Sequence, residues 1–141
     1  MENEFSYRKD LRNDILADEN SQVVEQKLSK MNKEDIKAII SSVGRLAQNT
    51  STIDLMVKYG ADVNAVTDEF GNTALMNLLS PLHKGNQIYW AKPEIIEAFI
   101  KHGADVNAKT SNGISVFDYA KKSDKPEIIA VIEKYLSSSK K

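Results

Sequence analysis

Cysteine is absent from this sequence of 141 residues, so the chain forms no disulfide, offers no thiolate metal ligand and carries no cysteine nucleophile. Only two histidines are present, and no metalloprotease-type His-Glu-x-x-His pattern includes them. The 19 basic and 20 acidic residues leave a net charge of −1, which gives no reason to expect nucleic acid or an anionic membrane as a partner. No apolar run approaches the length of a transmembrane helix.

The N-terminal residues Met1–Phe5 are acidic and lack the apolar stretch of a secretory signal. We therefore predict a cytoplasmic protein, with export by a route that needs no N-terminal signal left open. A hydrophobic content of 41% supports a packed core, and a charged content of 28% supports a solvated surface. The length favours one domain, predicted to span residues 1–137, with a frayed tail over 137–141.

A six-residue segment occurs twice in the chain. Gly60–Ala65 and Gly103–Ala108 both read Gly-Ala-Asp-Val-Asn-Ala, and each follows an apolar stretch with helical spacing. Self-similarity of this kind is typical of stacked-repeat proteins. The glycines are placed to end a helix in the left-handed conformation that only glycine adopts without strain. Further along each copy, Thr73 and Ser115 are predicted N-caps of the next helix.

These residues resemble the ankyrin repeat. The resemblance is strong over roughly residues 50–136, although the family's Thr-Pro-Leu-His motif is replaced by Thr73–Met76 in one copy and Ser115–Asp118 in the next. Gly60 and Gly103 lie 43 positions apart, against the ~33 residues of a standard unit. We therefore predict an insertion of about ten residues at 81–92. In length and composition, the chain resembles bacterial or viral members of the family.

The fold class that follows is all-α. We predict an ankyrin-type helical-repeat solenoid of about three repeats with an N-terminal helical cap. Residues 1–31 form the cap, with helices over 5–17 and 21–31, and an unrelated helical extension is the alternative there. Residues 32–65 form a degenerate repeat, 66–108 the repeat with the insertion, and 109–136 the C-terminal capping repeat. Helical spacing places Ile96 and Ile129 between neighbouring helix pairs.

Candidate catalytic and metal-binding residues are few. His102 is interpreted as a helix-end residue, where a cation suits the helix dipole, and His83 as a solvated loop residue. Asp62 and Asp105 could pass for paired carboxylates, but in the resembled family that position is structural. We therefore expect that the protein is not an enzyme and that it binds no cofactor and no metal ion. The competing hypothesis is a small-molecule binder or enzyme that uses the 81–92 loop as a lid.

The resemblance implies a non-catalytic protein–protein interaction module that binds a protein through its concave face, and we expect it to be a monomer. Its alternatives are an immunity protein or inhibitor that neutralises a cognate toxin or enzyme, a host-directed effector and an intracellular scaffold. The first predicted loop has one residue more than the second, so Phe70 should be exposed near its tip. The candidate partner-binding residues lie on the two loops and the helices that follow them, and are Asp68, Glu69, Phe70, Asn72, Asn77, Ser111, Asn112 and Tyr119.

Tyr89 and Trp90 complete the candidate site. They are adjacent aromatic residues inside the predicted insertion, where repeat stacking does not require them. Either they fold back into the groove between helix pairs, or they anchor a partner, since Trp and Tyr dominate interface energetics. Both roles can hold, with one ring in each. The insertion is expected at the end of its repeat opposite the two loops, as a second and separate surface.

Overall fold

The computed structural model describes the backbone of residues 4–139 and the side chains of these residues except 4–7, 9, 82, 84 and 137–139. Along this part of the chain, eight helices and two short strands follow one another. They are α1 (Glu4–Ala17), α2 (Ser21–Ser29), α3 (Lys33–Leu46), α4 (Thr50–Lys58), α5 (Ala74–Leu78), β1 (Leu82–Lys84), β2 (Gln87–Tyr89), α6 (Pro93–Lys101), α7 (Val116–Ser123) and α8 (Pro126–Ser139).

The helices stack in two layers. Helices α1, α3, α5 and α7 pack in sequence as the first layer, and α2, α4, α6 and α8 pack in sequence as the second layer. Each first-layer helix also contacts the helix that follows it in the second layer, which gives four helix pairs. The predicted all-α, stacked-pair architecture is confirmed. Helices α1 and α2 continue the two layers at the N-terminal end.

The structure differs from the sequence prediction at several element ends. The predicted loop at 81–92 contains an antiparallel hairpin, in which β1 pairs with β2 through His83 opposite Ile88. Helix α5 ends at Leu78, two residues before the predicted Ser80. Helix α8 continues to Ser139, so the predicted tail is helical at its start. Residues 140–141 of that tail and residues 1–3 of the predicted cap lie outside the described residues.

Polar side chains cap the helices where the sequence predicts them. The side-chain oxygens of Asn32, Thr73 and Ser115 accept hydrogen bonds from the backbone three residues further on, at 2.8, 3.3 and 3.0 Å. Asn49 makes no such bond at the start of α4. Instead Glu19, from the α1–α2 turn, accepts from the backbone N–H of Asn49 at 3.1 Å. A carboxylate from the preceding helix pair therefore stabilises the beginning of α4.

The repeated segment closes each helix and ties one repeat to the next. Gly60 and Gly103 have φ of 111° and 103°, which is the left-handed region that favours glycine. Asn64 then bridges the two copies, because its Nδ2 donates to the Gly103 carbonyl at 2.9 Å and its Oδ1 accepts from the Asp105 N–H at 2.8 Å. The segment is thus a structural connection between repeats.

Recurring contacts of one carboxylate link the second-layer helices. Glu25 of α2 accepts from Lys58 Nζ at 2.6 Å and from the Tyr59 hydroxyl at 3.0 Å, both at the end of α4. Glu97 of α6 accepts in the same way from Lys134 and Tyr135 of α8, both at 3.0 Å. Between α4 and α6, Asp54 Oδ1 lies 2.6 Å from Nε2 of His102, which stands where Tyr59 and Tyr135 stand in the other contacts.

The core lies between the two layers. Ile96 is fully buried there, as predicted, but Ile129 is only half-buried, and that prediction is wrong. Helix α8 is the last helix of the described stack and instead turns Ile128 and Ile132 into the core. Among the described residues, α8 contacts α6 and α7, and no other helix pair covers its outer side. Ile129 therefore packs against the edge of the core and stays partly in contact with solvent.

Candidate partner-binding surface

Two hairpins connect the second layer back to the first. The first hairpin (residues 66–73) is closed by a bridge between Val66 and Thr73, and the second hairpin (residues 109–115) by a bridge between Lys109 and Ser115. Each leads directly into a capped first-layer helix. The two turns therefore lie where the sequence predicts them, at the junctions between repeats.

The carboxylate of Asp68 organises the first hairpin from within. Its Oδ2 accepts from Asn72 Nδ2 at 2.7 Å, and its Oδ1 accepts from the backbone N–H groups of Phe70 and Asn72 at 2.9 and 3.1 Å. The pKa of Asp68 is lowered below its ordinary value, mainly because the Asn72 side chain donates this hydrogen bond to the carboxylate. Asp68 is a predicted binding residue, and the structure gives its carboxylate this internal role.

The two hairpins are joined at their tips. Ser111 donates its backbone N–H to the Phe70 carbonyl at 2.8 Å, and its hydroxyl lies 3.2 Å from the same oxygen. The Phe70 side chain is nonetheless 51% exposed, as the longer first loop predicts. Glu69 and Asn112 are also exposed, on the first and second turns. These predicted residues therefore share one edge of the molecule, with Phe70 as its large apolar side chain.

Three other predicted residues connect this edge to the first layer. The Tyr119 hydroxyl of α7 donates to Asn72 Oδ1, which links the first hairpin to the next repeat. Asn77 of α5 donates from Nδ2 to Thr67 Oγ1 at 2.7 Å. Its carbonyl accepts from Arg45 Nε of α3 at 2.7 Å. These hydrogen bonds tie the first hairpin to α5 and α7, and α5 in turn to α3, so the hairpin is a supported surface.

The insertion (residues 81–92) lies between α5 and α6. The Tyr89 hydroxyl donates to Gln87 Oε1 within the insertion, and Trp90 is half-buried and packs against the core. Trp90 and Tyr119 line one groove of about 310 Å³, which we call the Trp90 groove. The insertion follows the C-terminal end of α5, whereas the first hairpin precedes its N-terminal end, and the groove joins the insertion to Tyr119 of α7. The other described residues lining it are Leu79, Ser80, Pro81, Lys122 and Ser123.

Several surface features were missing from the sequence prediction. Val66 and Ile114, on the two hairpins, are 64% and 41% exposed, and Ile88 on β2 is 56% exposed. Lys122 and Lys125 also adjoin the Trp90 groove. The sequence pattern does not identify Ile88 as an outward position, because β2 is only three residues long and Gln87 and Ile88 are both exposed. The two lysines could not be found from the sequence either, since only the packing of the α7–α8 turn beside the insertion brings them there.

Asp62, Asp105 and His83 lie apart from the Asp54–His102 contact, which lines a pocket with Glu94 and Glu97. Asp62 and Asp105 each accept a hydrogen bond at 2.8 Å from the N–H two residues on, in Asn64 and Asn107, which is their structural role. His83 is exposed on β1. Among the side chains that the structure describes, no group of three or more His, Asp or Glu is placed to hold a metal ion. No helix within residues 4–139 has the length and apolar character needed to cross a membrane.

Helix pairs stacked in two layers and joined by projecting hairpins define the class of helical-repeat proteins. Residues 70–111 match the sequence model described as Ankyrin repeat, which supports an ankyrin-type repeat fold for the chain. That match begins in the first hairpin, crosses the insertion and ends in the second hairpin. A comparison of the chain with curated proteins found no match. The match at residues 70–111 supports a protein-interaction module in general terms.

Proposed function

We propose that the chain binds a protein partner, without catalysis, through the face formed by the two hairpins and the first-layer helices. The observation that carries this proposal is the set of exposed apolar side chains on the hairpins: Val66, Phe70 and Ile114. An apolar centre with a polar rim is the usual anatomy of a protein interface. Glu69 and Asn112 supply that rim on the same two turns.

The support beneath these side chains also favours binding. Asp68, Ser111 and Asn72 fix the first hairpin through hydrogen bonds to its own backbone, to its neighbour and to α7. A surface that is ordered before binding loses little conformational entropy when a partner docks. A rigid hairpin with an exposed phenylalanine is therefore suited to be an anchor.

The choice among an immunity protein, an inhibitor, an effector and a scaffold depends on the partner. The monomeric state, the cytoplasmic location, the bacterial or viral origin and the division into a cap (1–31), repeats (32–65 and 66–108) and a capping repeat (109–136) stay predictions. The competing small-molecule hypothesis would use the Trp90 groove. The described lining of that groove holds hydroxyls and one lysine but no carboxylate or histidine. Tyr119 and Lys122 are the acid–base groups of this described lining, without the carboxylate or imidazole that most often serves in catalysis.

The test begins with affinity purification of a partner from the source organism and its identification by mass spectrometry. Calorimetry then compares the wild-type chain with Phe70→Ala and with Ile88→Ala. Ile88 is a matched control, because it is exposed to a similar extent, 56% against 51%, but lies on the insertion hairpin. We expect Phe70→Ala to weaken binding at least tenfold, which is about 1.4 kcal/mol, and Ile88→Ala to have little effect. Equal affinities for all three proteins would exclude the hairpin face.

A further inference from the structure

The Trp90 groove has an apolar, aromatic side. The rings of Trp90 and Tyr119, both half-buried, lie with Leu79 and Pro81 along its lining. Aromatic rings present a large, stiff contact area at a small entropic cost, and they are frequent anchors in interfaces. A volume of about 310 Å³ is enough for one or two side chains of a partner.

Basic side chains lie beside these aromatic rings. Lys122 lines the groove, and the ammonium of Lys125 stands 5.3 Å from the centroid of the Trp90 ring. The turn Lys121–Lys125 carries three lysines against one carboxylate, that of Asp124. Helices α5 and α7 both end near the groove and add the partial negative charge of their carbonyl ends. Full lysine charges exceed these partial charges, so the local potential favours an anion.

We propose that the Trp90 groove binds a short acidic peptide segment of the protein partner. One apolar or aromatic side chain of that segment rests against Trp90 and Tyr119, and flanking carboxylates pair with Lys122 and Lys125. This inference rests on the proposed protein-binding function and specifies the chemistry of the partner. It also gives the insertion a role, since Trp90 and Pro81 belong to the residues that lengthen this repeat.

The probe is a short synthetic peptide with a central Leu-Phe pair flanked on each side by three glutamates. Trp90 is the single tryptophan of the chain, so its fluorescence reports occupancy of the groove directly. We expect the peptide to shift or quench this emission in a saturable way, and added salt to weaken the binding. A peptide with lysines in place of the glutamates, and one with alanines in place of the Leu-Phe pair, should each bind much more weakly.

Two charge reversals on the last turn of α7 make a matched pair. Lys122 lines the groove, whereas the ammonium of Lys121 lies over the Phe117 ring at 5.0 Å. Both changes remove a cation from the same helix end, so their effects on the helix itself should be similar. Lys122→Glu should weaken binding of the acidic peptide about tenfold, and Lys121→Glu should change it by much less.

Four results would overturn the proposal: an unchanged Trp90 emission, equal binding of the acidic and lysine-flanked peptides, equal effects of the two charge reversals, or tighter binding of a single-stranded oligonucleotide than of the acidic peptide. The wider function is tested separately by Phe70→Ala against the purified partner. If the peptide fails and Phe70→Ala still weakens partner binding, only the assignment of the groove is wrong. If the peptide binds and Phe70→Ala has no effect, the hairpin face is wrong and the groove stands.

Discussion

At the scale of the residue, a glycine inside a helix shows how packing overrides local propensity. Gly44 lies buried in α3, where glycine costs about 1 kcal/mol relative to alanine. A Cβ at this position would stand 2.5 Å from Leu78 Cδ2 of α5 and 3.1 Å from the Phe99 ring of α6. Both neighbours are fully buried, so neither has free space to move into. The absence of a side chain lets three helices approach one another.

The Gly44→Ala variant should therefore be less stable than the wild type. Overpacking costs about 1–3 kcal/mol, and the gain in helix propensity returns about 1 kcal/mol, so we expect a net loss near 1 kcal/mol. Urea denaturation measures the difference, with Ser41→Ala on the same helix as a control for propensity alone. A raised urea midpoint in Gly44→Ala would show that the core accommodates the methyl group.

At the scale of the element, the second layer is linked by the carboxylates of Glu25 and Glu97. The pKa of each glutamate is lowered below its ordinary 4.5. The hydrogen bond from a lysine is the largest cause of this shift, and the hydrogen bond from a tyrosine is the second. A carboxylate with a lowered folded-state pKa stabilises the fold above its unfolded pKa. This contribution is lost as the pH falls through the lower, folded-state value.

The double variant Glu25→Gln with Glu97→Gln should respond less to acid than the wild type. Urea midpoints at neutral pH and below the ordinary glutamate pKa of 4.5 measure the loss on acidification for each protein. Glu69→Gln is the control, since Glu69 is exposed on the first hairpin and outside these contacts. It should follow the wild type. An equal loss in wild type and double variant would mean that the two contacts do not couple the helices.

The elements also show what can be predicted from sequence. The two glycine segments and the caps Thr73 and Ser115 have local physical signals, and their positions follow from the sequence alone. The carboxylate contacts cannot be predicted from the sequence alone, because Glu25 and Tyr59 meet only after two helix pairs have stacked. The Trp90 groove is missed for the same reason. The sequence pattern also does not predict the β-hairpin in the insertion, because its strands are only three residues long.

At the scale of the whole molecule, each helix pair contacts mainly its neighbours in the stack. In such a solenoid the stability is the sum of the repeats and the interfaces between them. In a stack of four described helix pairs, a destabilising substitution at a central interface weakens the packing on both sides. A substitution at the edge weakens the packing on one side only. The position of a residue along the stack should therefore matter as much as its chemistry.

Ile96 and Ile129 test this difference with the same chemical change. Ile96 of α6 is fully buried in the interior of the stack, so Ile96→Ala should cost about 2–5 kcal/mol. A loss of that size is a large part of the roughly 5–15 kcal/mol that holds a typical domain folded. Ile129 of α8 is half-buried at the edge, and Ile129→Ala should cost about 1 kcal/mol.

Thermal unfolding followed by circular dichroism measures both losses, and hydrogen exchange locates them. We expect Ile96→Ala to lower the transition for the whole chain, with exchange accelerated in α4 and α8, the second-layer neighbours of α6. Ile129→Ala should accelerate exchange mainly in α7 and α8, because the rest of the stack keeps its own interfaces. A melting temperature unchanged by Ile96→Ala, or losses equal for the two variants, would contradict a stack whose stability is concentrated at its interior interfaces.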